Sequence, residues 1–227
     1  MSNLDRFIET FLNGAVLAKY TPSILQGVWV TVELSILIVI SGTLLGTLLA
    51  CIRAYRLRLI SFLIVIYADI FRALPPLVLI LLAYFGLPNI GLSLSSFTVL
   101  FVILGLTLGA FAEEIIWAGI TSTDKGQWEA ARSTGLGFTR TLIHVVLPQA
   151  VRMVIPPLTN RAIAITKMTA LGTVIGVPDI LNQATTAQSF SGNASPLTLA
   201  AMAYVLLFLP FVILSRWLES RFSWKKN

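Results

Sequence analysis

Apolar runs too long for a soluble core constrain this chain before anything else. A helix needs about 20 predominantly apolar residues to cross the hydrocarbon layer of a membrane. Five stretches reach that length, at about residues 24–50, 59–86, 94–121, 151–175 and 197–218. No water satisfies backbone N–H and C=O groups inside a bilayer, so each stretch must close its own hydrogen bonds as a helix. Composition agrees: 56% of the 227 residues are hydrophobic and 11% are charged, where a soluble domain carries about a quarter charged residues. The expected fold is an all-α membrane protein with about five transmembrane helices, residues 1–227 forming a single transmembrane domain.

The fourth stretch is the least clean, because Arg152, Pro156, Pro157, Arg161 and Lys167 interrupt it. The first 20 residues carry Asp5, Arg6 and Glu9 and lack the unbroken apolar core of a signal peptide. Leu4, Ile8, Phe11, Leu12 and Ala15 instead share one helical face, which predicts a short interfacial segment over residues 1–20.

An odd number of crossings places the two termini on opposite sides, and basic residues set the direction. Arg53, Arg56 and Arg58 lie in loop 51–58, Lys125, Arg132 and Arg140 in loop 122–150, and Arg221, Lys225 and Lys226 in the tail. Loops 87–93 and 176–196 contain neither Lys nor Arg. Cytoplasmic loops hold the excess of positive charge, so the N-terminus is expected outside and the C-terminus inside. The same bias accounts for the pI of about 9.8 without a nucleic-acid partner. The single cysteine, Cys51, excludes an intrachain disulfide. Gly42/Gly46 and Gly105/Gly109 have the spacing of close helix contacts, which in a chain with 15 glycines also arises readily.

One polar stretch breaks the apolar pattern. Residues 126–137 read GQWEAARSTGLG. Gln127 to Ser133 favours a short helix, Gly135 suits the left-handed position that ends one, and Pro148 is expected to mark the restart toward the membrane. A helix of about two turns is unstable alone. It therefore lies as an ordinary surface loop on its own chain, or serves as a docking knob for a cytoplasmic partner.

The segment EAARSTGLGFTRTLIHVVLP resembles the cytoplasmic EAA loop of ABC importer permeases. Their pattern is EAA, three residues, Gly, nine residues and Ile-x-Leu-Pro. Here Glu129, Ala130, Ala131, Gly135, Leu147 and Pro148 match it, and Val145 stands where Ile is preferred. KGQWEAA, LPQAVRMVIPPLTN, KMTALGTVIGVPDIL, DIFRALPPLVLILLAYFGLP and FAEEIIWAGI are similar to the histidine/glutamine-type permeases of polar amino-acid importers. Together these motifs span about residues 24–219. The resemblance implies that the 122–150 loop couples to an ATPase subunit through Gln127, Trp128, Glu129, Ala130, Ala131, Arg132, Gly135, Leu147 and Pro148. The Ala pair allows close backbone approach, Trp128 offers an apolar anchor, and Glu129 and Arg132 can fix register by charged hydrogen bonds.

Charges inside apolar segments are costly and generally face a bundle interior or a water-filled cavity. Glu33, Asp69, Arg72, Glu113, Glu114, Arg161 and Lys167 are of this kind. Asp69 and Arg72, three apart, can pair on one helical face. The family's acid falls at Glu113. Arg72, Glu113, Lys167 and Thr169 are the expected translocation-pathway residues. The sequence departs from the family at Ala73 and Leu74, for Gly-Thr, and at Met168 and Ala170, for Asp and Ser. The lone His144 is expected to be structural or interfacial, and no catalytic or metal-ligating residue is expected.

The chain contains no Gly-x-x-x-x-Gly-Lys-[Ser/Thr] stretch, the usual cradle for nucleotide phosphates. ATP and Mg are therefore expected on a partner ATPase, with no cofactor on this chain. The resemblance implies an importer of polar amino acids or related compounds such as opines, in a bacterial inner membrane. Its expected partners are a second permease subunit, two ATPases, an external solute-binding protein and the lipid bilayer. An ion-coupled carrier using Glu113, Glu114 and Lys167 is the alternative from another class, and an ABC permease for another solute is the nearer one.

Overall fold

The computed structural model describes residues 2–222; Lys225 and Lys226 of the basic tail lie outside them. The described residues form helices joined by short turns, with no strand among them. Helix α1 (Asn3–Phe11) opens with a reciprocal cap, in which the Asp5 N–H donates to Ser2 Oγ and the Ser2 N–H to the Asp5 carboxylate. Its apolar residues Leu4, Phe7, Ile8 and Phe11 are exposed.

Helix α2 (Gly14–Ala54) is 41 residues long, about 60 Å at 1.5 Å per residue. It starts well before the expected residue 24. Lys19 and Thr21 are compatible with a helix, and Pro22 removes one backbone donor without ending it. Beyond its C-terminus Arg56 adopts a left-handed φ of 56°.

The expected 59–86 span is broken in two. Helices α3 (Arg58–Ala73) and α4 (Pro76–Gly86, extended by a 3-10 turn Leu87–Ile90) are bent by 101°. The cause is local. Pro75 and Pro76 cannot donate backbone hydrogen bonds, and Leu74 before them is forced to extended backbone at φ −84°, ψ 135°. Four other helical runs, Asn3–Ala54, Ser96–Ser122, Phe138–Ile175 and Ser195–Arg221, are long and apolar enough to cross a membrane. The bent pair makes a fifth span if it is taken as one.

After α5 (Ser96–Ser122) come the short α6 (Lys125–Ser133) and α7 (Phe138–Thr141). A π turn, Leu142–Val146, then leads without interruption into α8 (Leu147–Lys167). The return toward the membrane thus begins ten residues before Pro148. The Leu147 N–H reaches back five residues to the Leu142 carbonyl, so the backbone widens just ahead of a proline that has no N–H to give. A 3-10 run, Met168–Ile175, extends α8. The region read as loop 176–196 contains helix α9 (Ile180–Ser191), capped by the Asp179 side chain and stopped by Gly192 at φ 62°. At 12 residues, and polar, it is too short to span. Helix α10 (Ser195–Phe222) closes the chain.

The helices contribute to two compact units, each interleaved along the sequence. One unit gathers the residues up to Ile38, Leu77–Leu104 and Thr166–Phe211. Its core includes Ile24, Ile180, Ala184 and Ala200. Gly27 is required there: a Cβ on it would lie 2.7 Å from the Asp179 carbonyl oxygen and 2.9 Å from the Ile180 Cα. The last carbonyls of α1 are bound to the turn before α10. Asn193 Nδ2 donates to the Glu9 oxygen at 2.8 Å and the Ala194 N–H to the Thr10 oxygen at 3.1 Å.

The other unit gathers Val39–Pro76, Gly105–Ile165 and the residues from Val212. Here α2 and α5 approach closely at the two glycine pairs. A Cβ on Gly42 would lie 2.9 Å from the Gly105 oxygen, and one on Gly46 would lie 2.7 Å from the Gly109 oxygen. Ala50, Ala54, Ile116, Ile120, Leu142, Val146, Ala150 and Val154 form the core beside them. Leu44, Leu48, Leu63, Leu206 and many other large apolar side chains are exposed, as expected where lipid replaces water as solvent.

Candidate functional site

The polar loop builds a compact platform. The Asp124 carboxylate accepts from the Gly126 N–H at 2.6 Å and so starts α6. Thr134 ends it, and Gly135 follows at φ 86°, a conformation a residue with a Cβ resists. The helix needs support, and aromatic side chains supply it. Trp128 stacks on Phe138 with centroids 5.3 Å apart, and Phe138 packs against Tyr55 at 5.0 Å. The Tyr55 hydroxyl lies 3.0 Å from Thr139 Oγ1, to which it donates. Gln149 Nε2 donates to Gln127 Oε1 at 3.2 Å, joining α8 to α6.

This packing divides the expected coupling residues. Ala131 is buried, and Trp128 and Leu147 are half-buried against their own chain. Gln127, Glu129, Ala130, Arg132, Gly135 and Pro148 are exposed. Trp128 is therefore largely an internal anchor, and Ala130 is the outward member of the Ala pair. Beside α6 opens a cavity of about 430 Å³, whose lining includes Arg56, Trp117, Lys125, Trp128 and Glu129. His144 is exposed, and no metal-ligating cluster occurs among the described residues.

The intramembrane charges are arranged quite differently. Glu113 is fully buried, and Arg53 Nη1 donates to both its carboxylate oxygens, at 3.0 and 3.3 Å. The Arg53 guanidinium also sits 4.7 Å from the centre of the Trp117 ring. Arg72 lies 3.9 Å from Asp69, the i, i+3 partner expected from the sequence, and makes a closer ion pair with Glu114. Arg161 lies over the Phe111 ring at 4.0 Å. Arg72 and Glu113 thus belong to one unit, each with a counter-charge. In the other unit Lys167 is exposed, 6.0 Å from the Phe208 ring centre, and Thr169 is buried, donating to the Thr166 carbonyl at 2.9 Å.

Two sites escaped the sequence reading. Arg53 served there only as a marker of orientation, since nothing local announces a partner 60 residues away. Asp179 is fully buried. Its carboxylate accepts from the Asn182 N–H at 2.9 Å, Thr173 Oγ1 at 3.0 Å and the Tyr204 hydroxyl at 3.3 Å. Burial pushes this carboxyl above its ordinary range, against the pull of the three donors. The helix-capping position of Asp179 was the only available signal for it.

Residues 42–224 match the family described as "Binding-protein-dependent transport system inner membrane component". The chain is 32% identical over 212 residues to the probable glutamine ABC transporter permease protein GlnP of Bacillus subtilis (strain 168), covering 92% of this chain and 97% of that one. It is 32% identical over 202 residues to the arginine transport system permease protein ArtQ of the same organism, covering 88% and 92%. Among solved structures, a chain of "an amino acid ABC transporter with histidines" superposes with a TM-score of 0.82 at 34% identity, covering 90% of this chain and 96% of that one. The inward-facing MetNI methionine ABC transporter, at 21% identity and a TM-score of 0.68, shares the fold. The chain therefore belongs to the family of inner membrane components of binding-protein-dependent transport systems, as a permease subunit of an ABC importer.

Proposed function

We propose that this permease imports a polar amino acid or a related compound such as an opine, by alternating access, across a bacterial inner membrane. One observation carries the mechanism: α6 is anchored inward through Ala131 and Trp128 while Gln127, Glu129, Ala130 and Arg132 face outward. A short helix fixed on one side and open on the other is suited to transmit force from a partner. The glutamine and arginine permeases among its relatives favour an amino-acid substrate.

The working assembly would hold a second permease subunit, two cytoplasmic ATPases that bind ATP and Mg, and an external solute-binding protein. Residues 122–150 would couple to the ATPase, with the N-terminus outside, the C-terminus inside, and residues 1–20 at the outer surface. Arg72, Glu113, Lys167 and Thr169 remain the candidates for influence on the pathway. The two buried ones, Glu113 and Thr169, would act on its shape, because each is bonded within its own unit. The name of the glutamine relative, an ABC transporter permease protein, favours ATP-driven import over an ion-coupled carrier.

Proteoliposomes test the reading. Uptake should require ATP, the ATPases and the binding protein together. Uptake driven by a proton gradient with the ATPases left out would overturn it.

A further inference from the structure

Glu113 faces a cation from another helix, and that cation is also held by an aromatic ring. Arg53 lies one residue from the end of α2 and two before Tyr55. Its guanidinium binds both Glu113 oxygens and covers the Trp117 ring one helical turn along α5. Tyr55 in turn packs on Phe138, and Phe138 stacks on Trp128 of α6. Trp117 and Trp128 line the same cavity. Side-chain contacts thus run from α6 to Tyr55, and the two-residue backbone step from Tyr55 to Arg53 at the end of α2 joins them to Glu113 and Trp117 on α5.

We propose that Arg53 is a positioning residue for coupling, clamping α5 through Glu113 and Trp117 to the α2 end that carries the Phe138–Trp128 stack. Displacement of α6 is then passed to α5 at Glu113 instead of being absorbed by the loop. The chemistry suits a clamp. A guanidinium is planar and permanently charged, so it can bind a carboxylate and stack on an indole at the same time. A lysine keeps the charge but loses the planar fork. The inference rests on the importer reading above, because it needs an ATPase acting on α6.

The test uses the permease assembled with its ATPases and binding protein in proteoliposomes, recording uptake and ATP hydrolysis together. Arg53→Gln should lower substrate taken up per ATP hydrolysed by about tenfold, a typical coupling energy, while the ATPases still co-purify and hydrolyse. Arg53→Lys should recover part of the ratio. Trp117→Leu leaves the ion pair in place and should give an intermediate loss, which keeps the test open if Arg53→Gln does not assemble. An unchanged ratio in the variants that assemble, whether uptake and hydrolysis both fall or both persist, would overturn the clamp. Wild-type protein without ATP-driven uptake would instead remove the importer reading itself.

Discussion

Glu113 and Glu114 of α5 and Glu129 and Arg132 of α6 belong to one compact unit, yet they are treated in opposite ways. Glu113 is withdrawn from solvent and bonded to Arg53; Glu114 and Asp69 share Arg72. Glu129 and Arg132 stand in the open, with no ion pair among the described residues. A charge in an apolar medium must be answered by the chain itself, because desolvation is uncompensated otherwise. A charge in water is already solvated and contributes little to the fold. The first group therefore holds structure, and the second is free to meet a partner.

The largest effect should come from breaking the buried pair. Arg53→Met should leave Glu113 buried and unpaired, costing about 3 kcal/mol, the low end for such pairs because Arg53 keeps some solvent contact. Adding Glu113→Gln to the same chain should restore much of the loss. Thermal unfolding in detergent measures both, and a double variant no better than Arg53→Met would show that the charge pair is not what matters there.

Asp179 sharpens the comparison, being a buried acid answered by neutral donors. Asp179→Ala should cost about 2 kcal/mol, since the Asn182 N–H, Thr173 and Tyr204 lose their acceptor. Asp179→Asn keeps one acceptor oxygen and should cost less. The pH dependence separates charge from hydrogen bonding. The folded carboxyl titrates above its unfolded range, so its stabilising contribution is full below about pH 4 and declines as pH rises through the folded value. Relative to wild type, Asp179→Asn should therefore gain ground as pH rises. Unfolding midpoints across a pH series check this, and a constant offset between the two proteins would contradict it.

In α6 the effects should fall on transport. Gly135→Val forces a branched side chain into the left-handed region at φ 86°, with local strain of roughly 1–2 kcal/mol. Membrane abundance should survive, and uptake and ATPase co-purification should fall. Gly135→Ala should be milder. The smallest change in stability, within about 0.5 kcal/mol, is expected for Glu129→Lys, with uptake still impaired. If Glu129→Lys unfolds the protein, or leaves uptake normal, the division between structural and partner-facing charges fails.

Much of this was legible from local rules. A hydropathy window finds the spans because the bilayer demands a fixed length of apolar chain. Gly135 was readable as a turn because positive φ is costly for other residues, and the i, i+3 approach of Asp69 and Arg72 follows from helix geometry. The break at Leu74 was equally local, since two prolines stand there, yet a hydropathy window averages over them and read 59–86 as continuous. Position on the chain could not say which alanine of the EAA loop turns inward, because that depends on where Phe138 and Tyr55 lie.

By itself, the sequence determined the solvent, the helical class, the approximate spans and the polar loop, since each depends on residues within a few positions of one another. Tertiary structure alone decided what answers Glu113 and Asp179. Arg53 meets Glu113 across 60 residues, and Tyr204 meets Asp179 across 25. Such partners are chosen by how helices pack, and close packing at Gly42, Gly46, Gly105 and Gly109 brings α2 to α5. The spacing of those glycines permitted that contact without requiring it. Only the folded backbone shows that a Cβ on Gly42 or Gly46 would run into the backbone of α5.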